Sequence, residues 1–200
     1  MKFEIQVQDL EPIQAMIGLL IQRGAKMKPF MRQAGEIMRA SVTRNFEAEG
    51  RPSRWKALSP ITREIYEGQA VDRLQGTKGY QNLKRESTRR RHEQAAMGKV
   101  GGRKLLHGQG DLKKSIVLGR ITDTSAEVGS PLPYARIHQK GGTIVPRHKK
   151  ALCIPMGGEK FLYVKKVTIP AREYLLLQKE DEITITRALD HFMLGGLSDA

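Results

Sequence analysis

Hydrophobic residues near the start of the chain change their spacing within the first two dozen positions. Apolar and polar residues first alternate, with the apolar positions at Phe3, Ile5 and Val7, which predicts a strand with one buried face. From Leu10 to Ile21 the apolar residues recur at steps of three and four, the spacing of an amphipathic helix. Gly24 is placed to end that helix.

A second helix is predicted from Pro29, which suits the first turn of a helix, to about Ala48, with apolar residues along one face. A loop bounded by proline residues follows and contains Trp55 and Leu58. Large aromatic residues in loops usually anchor the loop to the core, so we predict that Trp55 and Leu58 pack against the end of the second helix. A contact between Trp55 and a partner subunit is the alternative. Ser59 then favours the start of a short helix.

Residues 68–110 contain few hydrophobic positions and many glycines. The stretch from Lys84 to Lys104 contains eight basic residues and two acidic ones, and Arg89, Arg90 and Arg91 are consecutive. We predict a basic loop insertion or extended arm within a single domain that spans residues 1–200. A solvated, mobile surface and a polyanion-binding arm are both consistent with this composition. A helix from Arg89 to Ala96 is also consistent with it.

The C-terminal half is richer in strand patterns. A hairpin is predicted around the polar turn at residues 123–125, and an extended or short helical segment at residues 134–139. Alternation from Phe161 to Ile169 predicts one exposed antiparallel strand, and the spacing from Ile183 to Met193 predicts a final helix. The expected fold class is α+β, with helices packed on an antiparallel β-sheet.

The sequence offers little catalytic chemistry. The five histidines lack the paired spacing of a zinc site, and no nucleophile elbow, phosphate-binding loop or dinucleotide motif is present. Cys153 lies between Leu152 and Ile154, so we interpret it as a buried small hydrophobe in a protein suited to a reducing cytoplasm. We therefore predict no catalytic residues, no metal and no cofactor. The formal net charge is +14, which favours acidic partners, either nucleic acid or protein.

The most informative segment runs from Tyr134 to Ile144 and contains Arg136, His138, Lys140 and the pair Gly141-Gly142. The glycine pair is typical of a turn and lets a backbone come close to another chain. We predict that this segment lies at an assembly interface, with Tyr134, Arg136, His138, Lys140, Gly141 and Gly142 as interface candidates together with Arg89, Arg90 and Arg91. An ordinary surface loop is the alternative.

Three further segments are informative: Glu49 to Thr62 around Trp55, Gly110 to Ile116, and Ile169 to Leu175. The first two precede the segment from Tyr134 to Ile144 in the chain, and the third follows it. The four segments in this order resemble the phage virion morphogenesis family, the tail-completion proteins of Mu-like phages and prophages. Where that family usually has Pro-Phe after its Ile-Pro-Ala-Arg motif, this chain has Glu173 and Tyr174.

The resemblance implies a structural virion protein at the head–tail junction, made in the host cytoplasm and assembled into a ring, with a hexamer favoured. The implied partners are other copies of the chain, the tail tube or tail-end protein, and the head connector or neck protein, with DNA in the channel as a further candidate and no membrane. Two alternatives compete with this interpretation: a basic nucleic-acid-binding protein, and an enzyme of virion maturation. The first lacks a recognised binding module and the second lacks a catalytic constellation.

Overall fold

The computed structural model describes residues 11–108 and 110–195. The strand predicted from Phe3, Ile5 and Val7 lies outside these residues. The described chain forms eight helices and six strands, and every strand pair is antiparallel. The α+β fold class is therefore confirmed.

The elements follow one another along the chain in an order that mixes helices and short strands. They are α1 (Glu11–Ala25), α2 (Lys28–Ala48), α3 (Pro60–Gln75), α4 (Lys78–Gln81), α5 (Glu86–Gly101), α6 (Asp111–Lys114), β1 (Val117–Ile121), β2 (Ala126–Gly129), α7 (Ala135–Lys140), β3 (Gly142–Ile144), β4 (Leu152–Gly157), β5 (Lys160–Val164), β6 (Val167–Ile169) and α8 (Lys179–Leu194).

The predicted helices that correspond to α1, α2 and α8 and the predicted hairpin of β1 and β2 are confirmed. The prediction of one antiparallel sheet is corrected, because the described strands form three separate two-stranded sheets, β1–β2, β3–β6 and β4–β5. The strand expected from Phe161 to Ile169 is likewise divided into β5 and β6, which pair with different partners. Alternation identifies strand residues, but it does not identify the partner of a strand.

The basic loop predicted for residues 68–110 is wrong as a loop, because α3, α4 and α5 cover most of that range. Two of these helices start at hydroxyl caps: the Ser59 Oγ accepts a hydrogen bond from the Thr62 N–H, and the Thr77 Oγ1 accepts one from the Tyr80 N–H. Helix α5 has a single buried residue, Val100, and little apolar periodicity. Its contacts with the preceding segment are polar, since Glu93 accepts hydrogen bonds from Tyr80 and from Gln75.

The chain divides into two compact units built from interleaved segments. Unit 1 contains residues 1–44, 114–131 and 175–200, and unit 2 contains residues 45–113 and 132–174. The last four residues of α2 belong to unit 2. The assignment of the whole chain to one domain stays a prediction.

Unit 1 packs α1, most of α2 and α8 with the β1–β2 hairpin. The rings of Phe30 and Phe192 lie 6.1 Å apart and join α2 to α8. Asp181, fully buried at the start of α8, accepts hydrogen bonds from Ser41 and Arg44 on α2 and from the backbone N–H of Gln178. These charge-assisted bonds satisfy a buried carboxylate that would otherwise be costly to desolvate.

Unit 2 contains the remaining helices and the other two sheets. The β4–β5 hairpin packs on α3 through an unusually close backbone approach. A β-carbon at Gly68 of α3 would overlap the Met156 carbonyl oxygen and lie 2.9 Å from its carbonyl carbon. Asp72, one helical turn further along α3, accepts a hydrogen bond of 2.6 Å from the Gly158 N–H in the hairpin turn. Both contacts fix the hairpin on the helix.

Candidate assembly surface

Three of the four segments that carry the family resemblance meet in unit 2. They are the Trp55 segment, the Tyr134–Ile144 segment and the Ile169–Tyr174 segment. The hydrogen bond from the Trp55 indole to the Glu173 carbonyl joins two of them across 118 positions of the sequence. The fourth segment contributes the buried residues Leu112 to unit 2 and Ile116 to unit 1.

Tyr174 lies at the centre of this meeting point and is only 1% exposed. Its hydroxyl donates to the Ala135 carbonyl over 2.9 Å, and its backbone N–H donates to the side-chain oxygen of Gln139 over 3.0 Å. Its carbonyl accepts from the Asn45 amide over 2.9 Å. Burial raises the pKa of the Tyr174 phenol, so the hydroxyl stays a donor at neutral pH. Tyr174 thereby joins α7 to the end of α2.

Arg172 is a second buried connection in the same cluster. Its guanidinium donates twice to the Lys56 carbonyl, from Nε at 3.1 Å and from Nη2 at 3.0 Å, and its backbone N–H donates to the His138 carbonyl at 2.8 Å. Burial lowers the pKa of Arg172. Burial, and secondly the positive charge of Arg172, lower the pKa of His138. The His138 imidazole is therefore held neutral by its surroundings, which favours a packing role within unit 2.

Trp55 and Leu58 are both half-buried. The Trp55 ring meets Phe46 edge-on at 5.7 Å, and its indole N–H donates to the Glu173 carbonyl at 3.3 Å. Phe46 also lies 5.2 Å from the Tyr174 ring, so the three aromatic residues form one cluster. This geometry supports the prediction that Trp55 anchors its loop to the core. The alternative, a contact between Trp55 and a partner subunit, would use the part of the indole that is exposed. The anchor role stays a prediction.

The glycine pair at positions 141 and 142 divides into two different environments. Gly141 has a φ of 68°, and a β-carbon there would lie 2.7 Å from the Ala171 nitrogen. Gly142 is exposed and pairs with Ile169 in the β3–β6 ladder, and a β-carbon there would make only ordinary contacts of 3.5 and 3.6 Å with Ile137. Gly141 is thus required by the close approach of the Ile169–Tyr174 segment.

The other interface candidates of this segment point outward to different extents. Tyr134, Arg136 and Lys140 are exposed, whereas His138 is half-buried beneath the Tyr134 ring at a centroid distance of 6.0 Å. Ile144 and Val145, which follow in the chain, are also exposed. Their role at an interface stays a prediction.

The arginine triplet of α5 does not behave as a uniform patch. Arg89 donates to the Leu83 carbonyl at 2.9 Å and lies over the Tyr80 ring at 5.7 Å, and Arg90 pairs with Glu86. All three arginine side chains are exposed. Of the three, Arg89 therefore helps to hold α4 against α5.

A groove of about 1470 Å³ lies in unit 2 beside the motif cluster. Its walls combine apolar side chains with basic ones, among them Leu58, Tyr66, Leu105, Arg103, Lys104 and Arg172. Within the described residues no cluster of three or more histidine, cysteine, aspartate or glutamate side chains could hold a metal ion. None of the described helices has the length and hydrophobicity of a membrane span.

Cys153 is exposed, so the prediction of a buried cysteine is wrong. Apolar neighbours in sequence indicated burial, but adjacent residues in a strand face opposite sides of the sheet. Leu152 and Ile154 lie on the more buried face of β4, and Cys153 lies on the outer face.

The positive charge is distributed unequally between the units. Unit 2 has 24 basic and 10 acidic residues, whereas unit 1 has 11 of each. The whole net charge of +14 therefore belongs to the unit that contains the motif cluster. A surface that gathers the charge of the chain is an electrostatic attractor for acidic partners.

A sequence model of the phage virion morphogenesis family matches residues 69–193, and the chain belongs to this family. The chain is therefore a protein of virion morphogenesis. It is 28% identical over 192 residues to the Mu-like prophage FluMu G protein 2 of Haemophilus influenzae, an alignment that covers 96% of both chains. No solved structure matches the chain significantly.

The sequence pattern does not identify Asn45, Arg172 or Tyr174 as site residues, although Arg172 and Tyr174 lie in the segment from Ile169 to Leu175. The motif order was the only available signal, because hydrogen bonds over more than 100 positions leave no local pattern.

Proposed function

We propose that this protein is a structural, non-enzymatic component of the head–tail junction that completes the tail and helps to join it to the capsid. The observation that carries the proposal is the membership of the phage virion morphogenesis family, together with the similarity to a Mu-like prophage protein along nearly the whole chain. The motif cluster supports it, since the polar groups of Tyr174, Arg172 and Asn45 are used in internal hydrogen bonds. Such bonds build a rigid support for outward-facing loops.

In this proposal the chain acts as a closed ring of identical subunits, most simply a hexamer, between the tail tube or tail-end protein and the head connector. Ring closure needs heterologous contacts, in which one patch of each subunit meets a different patch of the next. The exposed residues Tyr134, Arg136 and Lys140 supply one such surface.

Deletion of the gene in a particle-producing lysogen tests the function directly. Electron microscopy should show DNA-filled heads and separate tails, and expression of the protein in trans should restore joined, infectious particles. Normal joining and infectivity without the gene would refute the proposal. Empty heads with normal tails would instead place the protein in DNA packaging.

The charge distribution favours one second candidate, contact with DNA at the junction. A surplus of 14 positive charges confined to unit 2 predicts binding to phosphate through counterion release. Binding of the purified protein to duplex DNA would be measured at several salt concentrations. A log–log slope near −0.9 per phosphate engaged supports this candidate, whereas affinity that is independent of salt or undetectable at low salt removes it.

A further inference from the structure

The outer face of the β4–β5 hairpin is an exposed apolar surface. Cys153 pairs with Tyr163 and Pro155 pairs with Phe161 in the antiparallel register, so the four side chains share one face. Phe161 is 53% exposed and Tyr163 is 67% exposed. The opposite face, with Ile154 and Leu162, is the less exposed one, as the alternating burial of both strands shows.

Exposed basic residues are frequent in the hairpin and in the segments that flank it in sequence. Between residues 147 and 166 six exposed basic residues stand against the single acidic residue Glu159: Arg147, Lys149, Lys150, Lys160, Lys165 and Lys166. A cluster of exposed aromatic residues with a charged rim has the composition of a protein interface, in which Tyr and Phe supply the buried anchors. The rim selects a partner surface that is acidic around an apolar centre.

Helix α8 in unit 1 presents exposed apolar residues among charged residues of both signs, with a small excess of acidic ones. A line of exposed residues recurs along it at steps of three and four: Glu180, Ile183, Arg187, Asp190 and Leu194. Ile183 is 49% exposed and Leu194 is 54% exposed. The helix has four acidic and two basic residues, and Asp181 is the only one of the four acids that is buried. Ile183 and Leu194 are the apolar members of this stripe, and Arg187 lies between its acidic members Glu180 and Asp190.

We propose that the outer face of the β4–β5 hairpin of one subunit docks on the exposed stripe of α8 of the next subunit. This inference rests on the proposed ring, because a heterologous contact requires two different complementary patches on every copy of the chain. The apolar centres, Phe161 and Tyr163 on one side and Ile183 and Leu194 on the other, become buried together. The lysine rim of the hairpin faces Glu180 and Asp190.

Cys153 provides the probe for this contact, since it lies on the docking face and is the single cysteine of the chain. An Ile183→Cys variant would carry one cysteine on each proposed patch. A short bis-maleimide should then link assembled copies into a ladder of dimers, trimers and higher species on a denaturing gel. The wild-type protein, with Cys153 alone, should give dimers at most.

Mixing experiments separate links between chains from links within one chain. A Cys153→Ser, Ile183→Cys variant mixed with tagged wild-type protein should give a crosslinked heterodimer, which can form only between different chains. Ser87→Cys is the matched control, because Ser87 is also exposed but lies on α5. The reaction is run on purified particles and on concentrated purified protein, and the linked peptides are identified by mass spectrometry.

Charge reversal gives an independent arm. Lys165→Glu, which follows Phe161 and Tyr163 in the alternation of β5, should reduce the yield of the ladder by about tenfold, the equivalent of the loss of a significant interface contact. Glu180→Lys in the same chain should restore much of that yield. Both variants change exposed residues and should keep the wild-type melting temperature.

Absence of the ladder in particles and in concentrated protein would overturn the inference, and so would an equal ladder from the Ser87→Cys control. A link from Cys153 to another virion protein would also overturn it and would identify the hairpin as a tail or connector contact. The proposed function is tested separately by gene deletion. If the cysteine variants give no ladder but deletion of the gene leaves heads and tails separate, only the docking surface is rejected. If the variants give the ladder but the deletion strain still joins heads to tails normally, only the proposed function is rejected.

Discussion

The close contact between α3 and the β4–β5 hairpin leads to a quantitative prediction for Gly68→Ala. A helix-interior glycine normally gains about 1 kcal/mol of stability on replacement by alanine. At Gly68 the new β-carbon would overlap the Met156 carbonyl oxygen and lie 2.9 Å from its carbonyl carbon, where ordinary carbon contacts need about 3.5–4.0 Å. The strand must therefore retreat by roughly 1 Å, and such overpacking typically costs about 1–3 kcal/mol.

Gly98→Ala is the matched control, because Gly98 is also inside a helix and a β-carbon there would meet nothing within 4 Å. The helix-propensity gain is common to both variants, so their difference isolates the clash. We expect Gly98→Ala to be more stable than Gly68→Ala by about 1–3 kcal/mol. In thermal unfolding followed by circular dichroism this difference corresponds to roughly 2–12 °C for a chain of this size.

Hydrogen exchange locates the effect. The backbone amides of β4 and β5 should exchange faster than in the wild type in Gly68→Ala, and at the wild-type rate in Gly98→Ala. Only the first substitution displaces the hairpin. Equal stabilisation of both variants, with unchanged exchange in the hairpin, would refute the close helix–hairpin approach. It would also remove the rigid support on which the proposed docking face depends.

Three other predictions concern the motif cluster. Trp55→Ala should lower the free energy of unfolding by about 1–3 kcal/mol, less than for a fully buried indole, and an unchanged melting curve with lost assembly would make Trp55 an interface residue. Gly141→Val should destabilise the fold more than Gly142→Val, because Gly141 combines a φ of 68° with a clash against Ala171, whereas Gly142 has only the backbone strain of its φ of 159°. Gly142→Val should lower particle yield by more than its loss of stability in circular dichroism explains. Stability should fall as the pH drops below about 6.5, because the folded state lowers the pKa of His138 and the unfolded chain binds the proton more readily. His138→Gln should flatten the melting temperature between pH 7 and pH 5, and an unchanged pH profile would contradict that assignment.

The sequence was sufficient for elements whose hydrophobic spacing is regular. Helices α1, α2 and α8 and the β1–β2 hairpin follow from that spacing and from turn residues. Helix α5 contains the range Arg89 to Ala96, where a helix is one of the alternatives, but hydrophobic spacing does not predict it, because its hydrophobic residues are few and its packing on α3 includes the polar group Glu93. Such contacts depend on residues that become neighbours only after folding.

The motif cluster shows the same division. Four ordered segments were enough to identify the family, since the identity of motif residues is preserved in the sequence itself. Their arrangement was not predictable, because the bonds of Tyr174 to Asn45 and of Arg172 to Lys56 join positions more than 100 residues apart. The predicted interface segment from Tyr134 to Ile144 is held by hydrogen bonds from the buried residues Tyr174 and Arg172.

In the proposed ring, the distribution of charge limits how identical subunits could meet. Every copy contains a unit with 24 basic and 10 acidic residues, so contact between two such units would bring like charges together. Contact with unit 1, where basic and acidic residues balance, avoids that repulsion, and α8 is its more acidic helix. At physiological ionic strength, salt screens interactions between exposed charges beyond about 8 Å. Charge therefore influences which two surfaces stay in contact and does not attract subunits from a distance. A ring closed by contacts between unit 2 and unit 1 leaves basic surface of unit 2 uncovered. That remaining surface is then the part of the chain that would meet an acidic tail or connector protein, or the DNA that passes through the junction.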